Sequence, residues 1–85
     1  MKCTYAEVEK RLGLGEPLLP VLYLVNPDFL EVYLPIWTPT SMILAMQARY
    51  AAQWPGAAVQ VILVTECPRL ALCGEWRRLY DSQTR

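Results

Sequence analysis

The chain has 85 residues, which suits one small domain, and a formal net charge of zero. This balance argues against nucleic-acid binding, because proteins that bind nucleic acids carry a clearly basic face. The composition is 54% hydrophobic and only 19% charged, which is more apolar surface than a small domain can hide, so we expect an interface with another protein, most simply a second copy.

The first predicted element is a short helix that begins at Thr4. Thr4 and Glu7 have the spacing of a capping box, in which each side chain satisfies a free backbone N–H of the other. Lys10 and Arg11 suit the end of a helix, where the dipole favours cations. Gly13 then suits the left-handed conformation that closes one.

A β-hairpin follows, with strands predicted over residues 22–25 and 29–34. The segment Asn26-Pro27-Asp28 between them is typical of a turn, because Asn caps a turn and Pro presets its φ angle. Both faces of the hairpin are largely apolar. This pattern indicates that the hairpin is covered on both sides.

The main helix is predicted from Thr38 to Trp54, with Thr38 as its N-cap and Pro39 at the first helical position. Pro55 and Gly56 end it. An apolar row at helical spacing should face the sheet; it consists of Ile43, Met46, Tyr50 and Trp54.

The last third of the chain begins with a predicted strand over residues 57–66 and continues into an ambiguous segment over residues 70–80. Leu70 and Leu72 alternate as in a strand, whereas Leu72, Trp76 and Leu79 also fit a helix. We favour a strand to about residue 73, then a loose tail or one helical turn, with residues 82–85 frayed.

These elements give the order α-β-β-α-β-β over a single domain, residues 1–85. The order predicts an α+β fold in which a four-stranded, mostly antiparallel sheet carries two helices on one face.

Little in the sequence suggests catalysis or a cofactor. Histidine is absent, which removes the usual general base and the commonest metal ligand. Cys67 and Cys73 lie six residues apart, wider than the spacing of a zinc site. We therefore expect no metal, no cofactor and no enzymatic activity. A third hypothesis is an enzyme subunit that relies on an exposed Cys67, because neighbouring Arg69 would lower the pKa of its thiol.

The cellular compartment follows from the cysteines and the hydropathy pattern. An odd number of cysteines, three in all, argues against a secreted disulfide framework. The start MKCTYAEVEK has no apolar core of a signal peptide. The longest uncharged run, residues 32–48, is too short and too interrupted by proline to span a membrane. We expect a cytoplasmic protein without membrane binding.

Two binding sites can be proposed from the pattern. Thr38, Thr40 and Ser41 surround a helix start, where free N–H groups favour an anion such as phosphate. The stretch lacks the glycines and the lysine of a phosphate loop, so capping explains it better. Anion or small-ligand binding there is the alternative function.

The preferred site is the aromatic stripe, by which we mean Phe29, Glu31, Tyr33 and Trp37. The first three share one face of a strand, and Trp37 continues the row. Because two helices cover only one face of a four-stranded sheet, the aromatic stripe should lie on the free face and bind a partner. The other possibility is that helices cover this face and leave Glu31 at its rim. The preferred interpretation is a non-catalytic protein-binding domain, an adaptor or an inhibitor-type regulator, that forms a homodimer.

Overall fold

A computed structural model describes residues 1–83 of the chain. Its elements, in chain order, are β1 (Lys2–Thr4), α1 (Tyr5–Leu12), β2 (Val21–Asn26), β3 (Phe29–Pro35), α2 (Thr40–Gln53), β4 (Ala58–Thr65), a short 3-10 helix (Arg69–Ala71) and α3 (Gly74–Gln83). The α+β class is confirmed. No helix in this part of the chain is long and apolar enough to cross a membrane.

The four strands form one sheet in the order β1-β4-β3-β2. Strand β4 pairs in parallel with both β1 and β3, and the β2–β3 hairpin is antiparallel. The prediction of a mostly antiparallel sheet was therefore wrong. The fourth strand is β1, which precedes α1. Helix α1 connects β1 to the antiparallel β2, whereas α2 connects the parallel strands β3 and β4.

The helices lie on both faces of the sheet, not on one as predicted. Helix α1 lies over the face of Glu31, because Arg11 of this helix binds the Glu31 carboxylate. Helix α2 joins the neighbouring parallel strands β3 and β4, and the right-handed form of this crossover places α2 on the face opposite α1. Strand β3 is accordingly buried on both faces, through Leu30, Val32 and Leu34 on one and Glu31 and Tyr33 on the other.

Three local signals in α1 and in the β2–β3 turn produced the structure that they predict. The Thr4 hydroxyl accepts a hydrogen bond from the Glu7 backbone N–H at 3.2 Å, and Gly13 closes α1 with a φ of 66°. The Asn26 side chain accepts from the Asp28 N–H at 2.8 Å in the hairpin turn. The apolar row of α2 packs against the core, as predicted.

The segment after β4 is a helix and not the predicted strand. Leu72 makes an isolated bridge to Leu19, and Trp76 of α3 is buried. The helical interpretation is therefore correct for Trp76 and Leu79, whereas Leu72 has an extended backbone and precedes α3. Of the predicted frayed tail, residues 82–83 belong to α3, and residues 84–85 lie outside the described part of the chain.

Candidate functional site

The aromatic stripe is not exposed. Glu31 and Tyr33 are buried beneath α1. Trp37 packs its ring against Trp76 and Tyr80, with ring centroids 6.3 and 5.7 Å apart, and Phe29 is half-buried at the start of β3. The expected exposure was wrong because α1 covers this face of the sheet. A partner-binding role for these four residues stays a prediction.

Glu31 is the centre of a hydrogen-bonded cluster inside the protein. Arg11 donates from Nε and Nη2 to the two carboxylate oxygens at 3.1 and 2.8 Å, and the Tyr33 hydroxyl donates to Oε1 at 2.9 Å. The Glu31 side chain is 3% exposed and that of Arg11 is 52% exposed. Such a bidentate, charge-assisted pair satisfies a buried carboxylate. Its role is to hold α1 on the sheet.

The same cluster affects the Tyr33 hydroxyl. Burial raises the pKa of Tyr33 well above its usual range, and the hydrogen bond that it donates to Glu31 raises it further. An unfolded tyrosine ionises near pH ~10. Above that pH the unfolded chain loses this proton while the folded chain keeps it, so the folded state is destabilised as pH rises.

We therefore expect the free energy of unfolding to fall more steeply above pH ~10 in the wild type than in Tyr33→Phe, which has no hydroxyl to ionise. At pH ~7 to 9 the hydroxyl is protonated in both states, so the difference between the two proteins should be constant there. Urea unfolding on both sides of pH ~10 measures this. Parallel pH profiles for the two proteins would contradict the assignment.

Two surface clefts flank α1. The first, of about 420 Å³, lies between α1 and β1 and includes Arg11 and Tyr33 in its wall. Both of these side chains are already bound to Glu31. The second, of about 410 Å³, lies beside the 3-10 helix. Among residues 1–83, no cluster of three or more Cys, Asp or Glu side chains could hold a metal ion.

The predicted anion site is not assembled as expected. Helix α2 begins at Thr40 with Pro39 as its N-cap, so Thr38 is not the cap. The buried Thr38 hydroxyl donates to the Pro35 carbonyl oxygen at 2.7 Å, which turns it away from the helix start. Thr40 and Ser41 are exposed in the first turn, and anion binding by them stays a prediction.

The environment of Cys67 differs from the expectation. Burial raises the pKa of its thiol to about 11, whereas a neighbouring Arg69 was expected to lower it. The Arg69 guanidinium instead donates two hydrogen bonds to Asp81, both at 2.8 Å. A raised pKa keeps the thiol protonated at neutral pH, which disfavours its use as a nucleophile.

The surface that sequence reasoning missed is the β2 edge, by which we mean residues 21–25 at the outer side of the sheet. Four of its apolar side chains are between 37% and 48% exposed; they are Leu22, Tyr23, Leu24 and Val25. Strand β2 pairs with β3 on one side. In an antiparallel pair every second residue directs its N–H and C=O away from the neighbouring strand, so the β2 edge offers these groups to an added strand.

The opposite edge of the sheet is built differently. Strand β1 has three residues and carries Lys2, and short edge strands with lysine are a common protection against unwanted strand pairing. The β2 edge is longer and carries no charged residue. The apolar run VLYLV was visible in the sequence, but the position of its strand at an edge depends on the whole topology.

Together these features define a small α+β domain with a mixed sheet, a covered core on both faces and one unprotected edge. A scan against protein-family models and searches of curated proteins and of solved structures found no match to this chain.

Proposed function

We propose that this chain is a non-catalytic protein-binding domain, an adaptor or regulator, that binds its partner by strand addition at the β2 edge. The observation that carries the proposal is an exposed edge strand without a single charge in residues 21–25. In strand addition, backbone hydrogen bonds supply affinity and alternate side chains supply specificity.

Both faces of an added strand would meet apolar surface. Leu22 and Leu24 stand opposite Val32 and Leu30 of β3 on one face of the sheet. Tyr23 lies on the other face, opposite Glu31. An added strand would therefore continue both apolar layers of the core, and removal of this surface from water contributes ~25 cal/mol per Å² of apolar area.

This proposal accounts for the excess of apolar residues that the composition indicates. The sequence predicts this excess at the aromatic stripe, but Glu31 and Tyr33 are buried and Trp37 packs against α3. The β2 edge, in contrast, is exposed and uncharged. We therefore keep the proposal of partner binding, but assign it to the β2 edge and not to the aromatic stripe on β3.

A peptide of residues 19–28, flanked by lysines for solubility and carrying a fluorophore, is a suitable probe. We expect it to bind the wild type with an affinity in the micromolar range (Kd ~1 to 100 μM). A second peptide with an N-methyl group on every residue from 21 to 25 should not bind, because neither of its edges can donate the backbone hydrogen bonds of a β-ladder.

The matched pair of variants is Leu24→Lys on β2 and Leu44→Lys on α2, since both residues are exposed leucines. Leu24→Lys should weaken peptide binding about tenfold or more, because a charge on an edge strand opposes pairing. Leu44→Lys should bind as the wild type does. Absence of peptide binding by a chain that sediments as a monomer would overturn the proposed function.

A further inference from the structure

We infer that the strand added at the β2 edge is β2 of a second copy, paired antiparallel about a twofold axis at Tyr23. This inference rests on the proposed function and names its partner. The inference goes beyond the proposed function because it specifies the register of the two strands and the number of copies in the assembly.

Symmetry limits the registers that two identical edges can adopt. A twofold axis perpendicular to the sheet places equivalent faces of the two copies on the same side of the joined sheet. Residues that stand opposite each other must share a face, because side chains alternate along a strand. An axis at Tyr23 therefore pairs Val21 with Val25 of the second copy, Leu22 with Leu24, and Tyr23 with itself.

The ends of the β2 edge select this axis among the symmetric alternatives. Pro20 precedes the strand and Pro27 follows it, and proline has no N–H to donate to a ladder. The pairing of β2 with β3 also becomes irregular between Leu24 and Asn26. An axis at Tyr23 uses all of residues 21–25, whereas an axis at Leu22 would place Leu24 opposite Pro20.

The chemistry of the edge favours a second copy over a charged peptide. Every pair in this register joins two apolar side chains, and cross-strand aromatic and aliphatic pairs stabilise a sheet. A partner strand with charges at these positions would place them beside leucine and valine without a counter-ion. The net charge of zero also means that two copies do not repel each other.

The geometry also sets the size of the assembly. Pairing two copies through β2 joins two four-stranded sheets into one, with β1 at each of its outer edges. Those edges are short and carry Lys2, so they resist addition of a further strand. The assembly therefore closes at a dimer and does not grow into a fibre.

Cysteine cross-linking tests the register. Opposite residues in an antiparallel pair have Cα atoms ~4.5–5.5 Å apart, within the range of a disulfide. The experiment uses a chain in which Cys3, Cys67 and Cys73 are replaced by alanine. The circular dichroism spectrum and melting point of this chain are first shown to equal those of the wild type. We expect Tyr23→Cys to form a disulfide dimer under mild oxidation.

Two further variants distinguish this register from others. We expect Leu22→Cys alone, or Leu24→Cys alone, to give little disulfide dimer. An equal mixture of the two variants should give about tenfold more or better, because only the mixture brings two thiols opposite each other. Leu44 is exposed on α2, so Leu44→Cys gives the rate of disulfide formation that results from random collision alone. Leu22→Cys cross-linking efficiently with itself, or Leu44→Cys cross-linking as fast as Tyr23→Cys, would overturn the register.

Sedimentation of the wild type at micromolar concentration tests the oligomeric state directly. A dimer that Leu24→Lys dissociates and Leu44→Lys does not supports the inference. A monomer that binds the residue 19–28 peptide overturns the homodimer and leaves the proposed function standing. A monomer that binds no peptide overturns both.

Discussion

Tyr33→Ala is expected to lower the free energy of unfolding by about 3–5 kcal/mol, the usual result of removing a buried aromatic ring. Tyr33 is fully buried in β3, and it stands between Ile62 of β4 and Val21 of β2. Loss of its ring leaves a cavity beneath α1. Loss of its hydroxyl also removes one of the donors to the Glu31 carboxylate. Since small domains have ~5–15 kcal/mol of stability in total, the variant should be close to unfolded.

Tyr33→Phe separates the two contributions. It keeps the ring and loses the hydroxyl, so its free energy of unfolding should fall by only about 1–3 kcal/mol, the cost of an unmade hydrogen bond in the interior. Urea unfolding followed by circular dichroism measures both variants. Because self-association would make the apparent stability depend on protein concentration, all proteins are compared at one concentration. Equal stability of Tyr33→Ala and Tyr33→Phe would show that the ring lies outside the core.

The sequence was most informative where structure depends on neighbouring residues. The capping box of Thr4 and Glu7 and the turn at Asn26 each involve groups two or three residues apart. The chemistry of these interactions is fully contained in the local sequence. The same holds for the apolar row of α2, whose packing follows from helical periodicity.

The sheet topology could not be predicted in the same way. Strand β1 has three residues, too few for any periodicity, and its pairing with β4 joins positions at opposite ends of the chain. Strand β4 is apolar on both faces, through Val59 and Val61 on one and Ile62 and Val64 on the other, a pattern typical of a buried parallel strand.

The candidate site was missed for a related reason. A carboxylate among aromatic residues identified Glu31 as unusual, but its partner Arg11 lies 20 residues earlier in the chain. Only the folded arrangement of α1 brings the two together. Likewise the sequence predicted a strand over residues 22–25, within the observed Val21–Asn26, while the exposure of this strand follows from its place at the end of the order β1-β4-β3-β2. An edge strand and a central strand can have the same amino-acid composition, and only the topology of the sheet distinguishes them.

The Arg11–Glu31 pair has a natural control in the same chain. Arg69 binds Asp81 through the same two nitrogens, also with an Nη2-to-oxygen distance of 2.8 Å. The two pairs differ in the burial of the acid, since the Glu31 side chain is 3% exposed and that of Asp81 is 38% exposed. An exposed ion pair contributes little to stability, whereas a buried charge deprived of its partner is strongly destabilising.

Arg11→Leu is therefore expected to lower the melting temperature by about 10 °C or more, because it leaves the Glu31 carboxylate buried without its cation. Arg69→Leu should lower it by a few degrees at most. Differential scanning calorimetry of both variants at one protein concentration measures the contrast. Equal losses for the two variants would mean that the burial of Glu31 has no energetic consequence.

The double variant Arg11→Leu/Glu31→Leu tests the physical cause of that loss. Removal of both charges leaves no buried ion without a partner, and an apolar replacement of a buried pair is often neutral or stabilising. We therefore expect the double variant to melt above Arg11→Leu, although it carries one more substitution. The Tyr33 hydroxyl loses its acceptor in this variant, which limits the recovery. A double variant that melts below Arg11→Leu would place the loss in the packing of the Arg11 side chain and not in the Glu31 charge.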